Sequence, residues 1–265
     1  MIPIVLSIAG FDPSSGAGVT ADVKTIAAHG CYAISCITAL TVQSTRAVLE
    51  VFAVPPLQLR SALEELSRDL PPNAVKIGML GAGDVAKEVA DYVERHCPPN
   101  LVLDPILISS TGTSLIDEEA LAILKNVLLP RARVATPNVE EASVLTGMPV
   151  CSPVDMRSAA AKLHEMGAQI VVIKGGHLAG SECMDLLSFQ DDNGLHQEDF
   201  SGPRMKTRAT HGTGCAFSSA LACNLALGKD IEDAVAAAKQ YVRAAMARAY
   251  PLGAGLGPLN HLYRL

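Results

Sequence analysis

The sequence predicts an α/β protein, a three-layer α/β/α sandwich with a mostly parallel central sheet. Short apolar runs alternate with amphipathic segments along almost the whole chain, which is the pattern of parallel strands joined by crossover helices. Several of these runs are apolar throughout, as expected for strands covered on both faces. With 265 residues, 49% of them hydrophobic, the chain is long enough for one large domain, and we expect residues 1–265 to form a single one.

The predicted elements follow one another in order along the chain. The candidate strands are short apolar runs at residues 2–9, 33–40, 74–77, 101–103, 133–136 and 170–173. The candidate helices are amphipathic segments, several of them closed by Gly, at residues 17–29, 56–69, 84–96, 117–128, 138–146, 155–166, 213–227 and 231–248.

The pattern changes after residue 175. Two apolar runs, residues 184–189 and 195–200, flank the sequence Asp191-Asp192-Asn193-Gly194. An Asn-Gly pair between apolar runs predicts a β-hairpin. The segment that follows, residues 201–208, is polar, basic and without clear periodicity, and we interpret residues 204–208 as a mobile flap. An ordinary solvated loop is the alternative interpretation.

Composition and charge argue against several functional classes. A net charge of −6 and the absence of Lys/Arg runs predict no nucleic-acid partner. No apolar run approaches the roughly 18–20 residues of a membrane-spanning helix, so we expect no membrane association. The seven cysteines are scattered and form no CxxC pair, which suits a reducing cytosol and a cytoplasmic protein.

The most informative motif is Gly212-Thr213-Gly214-Cys215, which precedes a run of small residues. Two glycines let the backbone turn tightly and aim successive N–H groups into one concavity, and the following run predicts a helix. A helix N-terminus attracts phosphate and lowers the pKa of a thiol placed there. Cys215 is therefore a candidate reactive group beside a phosphate site. Buried packing is the alternative role for a single cysteine at such a position.

Polar and Gly-rich sequences follow the predicted strands. Ligands of an open parallel sheet bind at the carboxyl ends of the strands, so we expect these sequences to converge. They contain the Gly-rich stretch 10–18 with Asp22 after it, then Gln43, Met79, Ile106, Asn138 with Glu141, and Lys174. One end of the expected site combines neutral hydrogen-bonding groups with an apolar wall, and the other combines an acid, a lysine and an anion hole. This combination indicates a site in which a small polar ring faces a nucleoside triphosphate.

This set of residues indicates phosphoryl transfer. The reaction needs charge neutralisation at the migrating group, a magnesium-bridged nucleotide and a base near the attacking hydroxyl, which Lys174, Glu141 and Cys215 could supply. The stretch Gly16-Ala17-Gly18 lacks the Gly-Lys-Ser/Thr ending of a P-loop. The sequence therefore predicts a kinase without a Walker A loop, whose first Gly-rich turn serves the approach of the substrate.

Several motifs of the chain occur in one order over nearly its whole length. They are residues 9–18 with 21–22, 38–45, 76–80, 103–105, 136–142, 172–177, 210–215 and 257–261. In this combination the chain resembles the ribokinase-like superfamily and, within it, the hydroxymethylpyrimidine/phosphomethylpyrimidine kinases of thiamine biosynthesis. The resemblance implies ATP-dependent phosphorylation of 4-amino-5-hydroxymethyl-2-methylpyrimidine to its monophosphate and then its diphosphate. The cofactors would be ATP and Mg²⁺, the partner a small-molecule pyrimidine, and we expect a homodimer.

The resemblance also implies roles for single residues around the ring. Gln43 and Asp22 would hydrogen-bond the aminopyrimidine, Ala17 would contribute main chain, and Met79 and Ile106 would form apolar contacts. Gln43 suits its role because one amide can donate and accept along a heteroaromatic edge. The alternatives are a turn-forming amide for Gln43, a helix-surface acid for Asp22 and ordinary packing for the two apolar residues.

At the other end, Asn138 and Glu141 look like the superfamily's Asn-x-x-Glu element, with magnesium held by Glu141 through water. A helix N-cap is the competing role for Asn138, and both roles can hold together. Cys215 stands where the wider superfamily carries an Asp as catalytic base, which points away from sugar kinases. The residues implied to bind the nucleotide and its phosphates are Lys174, Asn138, Gly212, Thr213 and Gly214.

One departure from the family and three alternative functions stay open. Many relatives carry a Lys shortly after the Asp-Pro pair, where this chain has residues 108–112 with Ser109 and Ser110, so a cationic contact from that loop is in doubt. A pyridoxal kinase is the main alternative, because pyridoxal is also a small heteroaromatic with a hydroxymethyl arm. Cys215 with His211 could instead form a thiol hydrolase or transferase pair. A non-catalytic nucleotide sensor is the remaining alternative.

Overall fold

The computed structural model describes residues 2–109, 112–192 and 194–264. Its strands are β1 (Ile4–Phe11), β2 (Tyr32–Gln43), β3 (Val48–Ala53), β4 (Ala74–Ile77), β5 (Leu101–Leu103), β6 (Val134–Ala135), β7 (Ile170–Lys174), β8 (Glu182–Asp191) and β9 (Gly194–Pro203). Its α-helices are α1 (Gly18–Ala28), α2 (Pro56–Asp69), α3 (Gly83–His96), α4 (Glu118–Ile123), α5 (Leu129–Arg131), α6 (Val139–Thr146), α7 (Pro153–Glu165), α8 (Thr213–Ala226) and α9 (Ile231–Ala247). A π-helical stretch, Leu124–Leu128, joins α4 to α5.

Within these residues the strands form one sheet in the order β3-β2-β1-β4-β5-β6-β7-β8-β9. The six strands from β2 to β7 in this order pair with one another in parallel. At the two edges β3 is antiparallel to β2, and β8 is antiparallel to both β7 and β9. The mostly parallel sheet and the hairpin are therefore confirmed. Asn193 of the predicted hairpin turn lies outside the described residues.

Two hydrophobic layers cover the two faces of the sheet. Successive side chains of a strand point to opposite faces, and β1 shows this: Leu6 and Ile8 belong to the cluster formed with residues of α2, α3, α4, α6 and α7. Val5, which precedes Leu6 and points to the other face, belongs to the cluster formed with residues of α1, α8 and α9. Helices thus cover both faces, and the predicted three-layer α/β/α sandwich is confirmed. In the part of the chain that the structure describes, no helix has the length and apolar character needed to cross a membrane.

The predicted strands do not include β3, and they end β2 too early. The residues of β3 lie at an edge of the sheet and are largely exposed, so they lack the apolar run of a buried strand. Because β3 pairs with the end of β2, that strand continues past residue 40 to Gln43. Gln43 therefore ends a strand instead of following one.

Two other predicted segments differ from the structure. The predicted helix 117–128 is regular only over α4 and then widens into the π-helical stretch. Pro130 in α5 lacks an N–H and its ring crowds the carbonyl four residues before it, so a regular α-helix cannot continue there. The predicted loop 201–208 is shorter than expected, because β9 continues to Pro203.

The sheet order creates a crevice at the carboxyl end of β1. The chain passes from β1 to β2 on one side and later to β4 on the other side of β1. Ligands of open α/β sheets bind at such switch points. Gly212, the residue before α8, lies against Gly16 in the loop that follows β1, so the N-terminus of α8 meets the same crevice.

Candidate active site

A cavity of about 640 Å³ lies at this switch point. The predicted site residues that line it are Ala17, Gln43, Met79, Ile106, Asn138, Glu141, Lys174, Gly212, Thr213, Gly214 and Cys215. These residues end or follow different strands or lie at the start of α8, and the fold brings them to one place, as expected for strand ends of a parallel sheet. Asp22 is the exception, because it does not line the cavity.

The cationic end of the cavity consists of Lys174 and the turn 212–214, in which Gly212 is the N-cap of α8 and Thr213 and Gly214 are its first residues. Gly212 has a φ of +81°, and a Cβ there would lie 1.9 Å from the carbonyl oxygen of Gly16. Only glycine therefore lets the two Gly-rich loops touch. A Cβ on Gly214 would lie 3.2 Å from Nζ of Lys174, so the second glycine leaves room for the ammonium. A cation beside the free N–H groups of a helix N-terminus favours an anion.

Lys174 pairs with Asp104, which directly follows β5. Its Nζ lies 2.8 Å from Oδ1 of Asp104, and the hydroxyls of Thr136 and Ser218 donate to the same carboxylate at 3.2 and 3.0 Å. Burial alone would raise the pKa of Asp104, but the ammonium groups of Lys174 and Lys76 outweigh it and lower the pKa. Burial likewise opposes the charge of Lys174, and the neighbouring carboxylates raise its pKa above the ordinary value. Both partners are therefore charged.

Asn138 and Glu141 form a reciprocal cap at the N-terminus of α6. The Asn138 side chain accepts the backbone N–H of Glu141, and the Glu141 carboxylate accepts the backbone N–H of Asn138, both at 2.8 Å. The N-cap role considered for Asn138 is confirmed. The amide nitrogen of Asn138 and the second carboxylate oxygen of Glu141 take no part in this cap, and both residues line the cavity.

Glu141 is also the residue at which a cation would fit. Burial raises the pKa of its carboxyl to about 7, the Lys174 ammonium opposes this, and Asp104 adds to it. Among the described residues no cluster of three His, Cys, Asp or Glu side chains could hold a metal ion directly. Mg²⁺ keeps several water ligands and is bound by one or two carboxylates together with phosphate oxygens, so a single carboxylate beside an anion site fits it.

Cys215 lines the cavity in the first turn of α8, but its thiol is not activated. Burial raises the pKa of the thiol to about 11, Lys76 acts to lower it, and Asp22 and Asp104 act to raise it. The expectation of a lowered thiol pKa at the helix N-terminus is therefore wrong. A helix terminus contributes at most about 2 kcal/mol, and the loss of water around a buried thiolate outweighs it here.

The amide end of the cavity consists of Thr41, Gln43, His211 and Asp12. The Gln43 carboxamide lies 3.1 Å from Oγ1 of Thr41 and 3.3 Å from Nε2 of His211. The same His211 nitrogen lies 2.8 Å from Oδ2 of Asp12. Gln43 belongs to the β2–β3 ladder, and the turn after it is closed by the backbone of Ser44 and Ala47. A turn-forming role for the Gln43 amide is therefore not supported.

Met79 and Ile106 belong to a small apolar cluster that is separate from the two layers on the sheet. Met79 is buried there with Val48 and Leu115, and Ile106 packs against them. The backbone N–H of Ala17 donates to Oδ2 of Asp12 at 2.9 Å. Its main-chain donor is thus already engaged.

Asp22 lies beneath the cavity wall and is fully buried. Its carboxylate accepts hydrogen bonds from Ser7 at 2.6 Å, from Lys76 at 2.9 Å and from Ser219 at 2.8 Å. These donors engage both oxygens, so the structure does not bring Asp22 to a ligand in the cavity. The alternative of a helix-surface acid is also wrong, because no part of the side chain is exposed.

Four residues described in this site are missing from the predicted set, namely Asp12, Thr41, Asp104 and His211. Each of them lines the cavity, and each stands inside a motif used for the family resemblance. An acid directly after a strand end is the signal that could have found Asp12 and Asp104. His211 precedes Gly212, the N-cap residue of α8, and its position there was considered only for a pair with Cys215.

The segment 204–208 leads from β9 toward α8, and Arg204 and Met205 line the cavity. The Arg204 guanidinium donates to the backbone carbonyls of Gly176, Leu178, Gly180 and Glu182. Arg208 donates to the carbonyls of Ala254 and Gly255. The two arginines are therefore held by backbone, and flap movement stays a prediction. On the neighbouring loop Ser109 lines the cavity, while Ser110 and Thr111 lie outside the described residues.

The sequence profile of the family described as phosphomethylpyrimidine kinase matches residues 12–260. The chain belongs to this kinase family. It is 40% identical to the hydroxymethylpyrimidine/phosphomethylpyrimidine kinase of Streptomyces coelicolor, over 99% of this chain and 96% of that protein. It is 41% identical to the thiamine biosynthesis bifunctional protein ThiED of Geobacter sulfurreducens over 97% of this chain, which spans only 52% of that protein. This member of the phosphomethylpyrimidine kinase family is thus a phosphotransferase.

A solved kinase structure shares the fold of this phosphomethylpyrimidine kinase family member. The pyridoxal kinase of Staphylococcus aureus in complex with AMP-PCP and pyridoxal matches it with a TM-score of 0.89 at 31% identity, over 100% of this chain and 95% of that chain. The predicted ribokinase-like fold is therefore confirmed. The neighbouring kinase binds an ATP analogue together with a small heteroaromatic ring, which agrees with a kinase that uses ATP.

The site of this family member does not contain an activated Cys–His pair. In the described residues Nε2 of His211 is engaged by Asp12 and Gln43, and the pKa of the Cys215 thiol is raised by burial. A thiol nucleophile needs the opposite, an imidazole in contact with sulfur and a depressed pKa. The thiol hydrolase or transferase alternative is therefore not supported.

Proposed function

We propose that the chain transfers the γ-phosphoryl group of ATP to the hydroxymethyl group of 4-amino-5-hydroxymethyl-2-methylpyrimidine, and then phosphorylates the monophosphate to the diphosphate, in thiamine biosynthesis. The observation that carries this proposal is the division of one cavity into two chemical ends. The amide end and its apolar wall suit a small neutral heteroaromatic ring. The cationic end, with Lys174 and the turn 212–214, suits the phosphates of a nucleotide.

At the amide end, Gln43 forms hydrogen bonds with the edge of the ring, and Met79 and Ile106 pack against its faces. A carboxamide offers a donor and an acceptor side by side, which matches a ring nitrogen next to an exocyclic amino group. A mostly apolar cavity with a few placed polar groups is the usual form of a small-molecule site. The backbone of Ala17 closes the ring pocket without offering a free donor.

At the cationic end, Lys174 and the turn Gly212-Thr213-Gly214 hold the transferring phosphoryl group, with the N–H groups of Gly212 and Gly214 as donors, because the Thr213 N–H already donates to the Thr210 carbonyl at 3.4 Å. Phosphoryl transfer depends mainly on positioning and on the neutralisation of charge, so these groups supply most of the rate enhancement. Glu141 would hold Mg²⁺ through water, and bound Mg²⁺ would neutralise charge on the phosphate oxygens. Asn138 fixes Glu141 through the cap and offers its free amide nitrogen as a donor.

Cys215 accepts the proton of the attacking hydroxymethyl group. A thiol with a pKa of about 11 yields a thiolate more basic than a carboxylate. Because the transition state of phosphoryl transfer is loose, little proton transfer is needed before the phosphoryl group moves. A thiol that still carries its own proton cannot accept another, so Cys215 acts as the base only in its thiolate form, after its own proton has gone to solvent, and the thiolate fraction grows with pH.

One incubation tests this proposal. The protein is mixed with Mg-ATP and the hydroxymethylpyrimidine, and anion-exchange chromatography resolves monophosphate from diphosphate over time. We expect the monophosphate first and the diphosphate later, with no product when EDTA replaces Mg²⁺. Phosphorylation of pyridoxal but not of the pyrimidine would contradict the proposed substrate, and no transfer to either ring would contradict the kinase function.

Pyridoxal phosphorylation is the second candidate function. The structural match to a pyridoxal kinase bound to its substrate favours it, and the apolar wall of the cavity would pack equally well against a pyridine ring. Comparison of kcat/KM for the two rings decides between them. The homodimer, the single domain and the cytoplasmic location stay predictions, and sedimentation of the full chain tests the first of these.

A further inference from the structure

The amide end of the cavity contains a hydrogen-bond chain that reaches back from Gln43 to a buried carboxylate. His211 is 5% exposed and Asp12 is 3% exposed. Nε2 of His211 contacts two groups, Oδ2 of Asp12 at 2.8 Å and the Gln43 carboxamide at 3.3 Å. One ring nitrogen therefore serves both neighbours, and its single proton must be assigned.

Asp12 is held in the ionised form. Its carboxylate accepts the backbone N–H of Ser14 at 2.8 Å, of Gly16 at 3.2 Å and of Ala17 at 2.9 Å. Burial acts to raise the pKa of Asp12, but the hydrogen bonds from His211 and Ser14 outweigh burial and lower it. An ionised carboxylate only accepts hydrogen bonds. The His211 nitrogen that faces it must therefore carry the proton.

This assignment fixes the orientation of the Gln43 amide. With a proton on Nε2, His211 is a donor on this side and cannot accept from an amide NH₂. The two ends of a carboxamide have the same shape, and the hydrogen-bond partners decide which end is which. The end of the Gln43 amide that faces His211 must be its oxygen, and Nε2–H of His211 is then shared between this oxygen and Asp12.

Thr41 independently agrees with this orientation. Its hydroxyl donates its one hydrogen to the carbonyl oxygen of Phe11 at 2.9 Å. The lone pairs of Oγ1 then remain for the other end of the Gln43 amide, 3.1 Å away. An NH₂ group there completes a chain in which every donor meets an acceptor.

We propose that Asp12 and His211 are positioning residues that orient the Gln43 amide and thereby select an amino-substituted heteroaromatic ring as substrate. Gln43 presents its oxygen on the His211 side and its remaining N–H on the Thr41 side. An aminopyrimidine edge offers an amino donor and a ring-nitrogen acceptor separated by one carbon, which matches this order. The hydroxyl and ring nitrogen of pyridoxal are separated by two carbons, so one amide cannot engage both.

This inference rests on the proposed function, and substitutions at His211 test it. In His211→Leu the KM for the hydroxymethylpyrimidine should rise about tenfold, the loss expected for one hydrogen bond, while the KM for pyridoxal should change much less. His211→Gln keeps an N–H that can donate to Asp12 and should restore most of the preference. His196→Leu, on the exposed β8–β9 hairpin and outside the cavity, is the control. Equal losses for both rings, or no loss, would overturn the inference.

A second measurement needs neither substrate nor variant activity. In ¹⁵N-histidine-labelled protein, the ¹⁵N shifts and two-bond couplings identify the protonated ring nitrogen, and His211→Gln assigns the signal. We expect the proton on Nε2 in the free protein, and a proton on Nδ1 alone would overturn the inference even if the leucine variant failed to fold. If the wild-type protein phosphorylates neither ring, the proposed function fails, and the tautomer measurement still decides the orientation of the amide.

Discussion

Two Asp–Lys pairs of nearly the same chemistry lie beneath and beside the cavity, and they differ in their surroundings. In the closed pair, Asp22 and Lys76 are 2.9 Å apart and both side chains are 0% exposed. In the open pair, Asp104 and Lys174 are 2.8 Å apart, and the lysine keeps 14% exposure. Adjacent serines of α8 donate to the two aspartates, one to each.

Under the proposed function, the closed pair serves stability and the open pair serves ligand binding. The lysine of the closed pair has no access to the cavity, so its charge is compensated only within the protein. The lysine of the open pair lines the cavity and can turn part of its interaction to a phosphate. Exposure, rather than residue type, therefore separates the two roles. Residues of both pairs affect the pKa of the Cys215 thiol, which Lys76 lowers and Asp22 and Asp104 raise.

The largest effect is expected at Cys215. Cys215→Ala should lower kcat by roughly 10²- to 10⁴-fold, the range of general acid–base catalysis, with ATP affinity kept because Lys174 and the glycine turn remain. Near-normal turnover in this variant would remove Cys215 from the mechanism. Steady-state kinetics with both substrates varied is the measurement.

The pH dependence sharpens the same assignment. Burial raises the pKa of the thiol to about 11, so the thiolate fraction grows with pH throughout the neutral and mildly alkaline range. If the thiolate is the base, log kcat/KM should rise from about pH 7 to about pH 9 in the wild-type protein, with a slope of at most about one. Cys215→Ala should lose this rise except for the small gain that comes from the ionisation of Glu141, whose pKa burial raises to about 7, whereas a variant of Lys174 should keep the rise at lower activity.

Loss of the closed pair should lower the free energy of unfolding. Lys76→Met should lower the free energy of unfolding by about 3–5 kcal/mol, because Asp22 keeps a fully buried charge without its cation. Lys174→Met should cost less, since Lys76 also stabilises the charge of Asp104 and water reaches the cavity. Urea denaturation of the three proteins measures both values.

A double variant and an exposed pair are the controls for this prediction. Asp22→Asn combined with Lys76→Met removes both charges and should recover a large part of the loss. Arg68→Met breaks an ion pair whose partners are both 72% exposed, and it should change stability by at most about 1 kcal/mol. If Lys76→Met is as stable as the wild-type protein yet inactive, the closed pair is part of the catalytic machinery.

The sequence predicts which segments meet at the site, but not which of their side chains reach the cavity. Lys174 and Asp22 both follow apolar strands in polar motifs, and both were expected at a ligand. Only the packing of α8 against β1 and β4 separates them, because it covers Asp22 with Ser219 and Lys76. Local pattern carries no information about such covering by distant elements. The same limit applies to Cys215, whose helix position predicts a low pKa and whose burial produces a high one.

A smaller effect is expected at the amide end, far from either charged pair. Gln43→Ala should raise the KM for the hydroxymethylpyrimidine by the equivalent of about 1–3 kcal/mol, because polar groups of the ring lose their partner. Stability without ligand should change little, since Gln43 is only partly buried at the end of an edge-paired strand. Calorimetric unfolding of the free protein together with steady-state kinetics measures both. A large loss of stability with an unchanged KM would assign Gln43 to the fold.

The smallest effect is expected in the segment 204–208. Like the two Asp–Lys pairs, its backbone has two kinds of surroundings: some N–H groups are hydrogen-bonded within the protein and others are not. The backbone N–H of Arg204 donates to Ser181 at 2.8 Å, and that of Ala209 to the Thr207 hydroxyl at 3.1 Å. In the described structure no hydrogen bond takes the backbone N–H groups of residues 205–208. Amide hydrogen exchange should therefore be fast at residues 205–208 and slower at both ends in the free protein.

If this segment closes as a flap, its free amides should become protected only when nucleotide and pyrimidine are both bound, because closure then excludes water from the transferring phosphoryl group. Exchange measured by mass spectrometry with each ligand alone, and with both, distinguishes closure from simple contact with one ligand. The amides of α2, on the outer layer and away from the cavity, should not change and provide the internal reference. Equal exchange at residues 205–208 in all states would leave the segment an ordinary solvated loop, with the anchored arginines serving only to join β9 to α8.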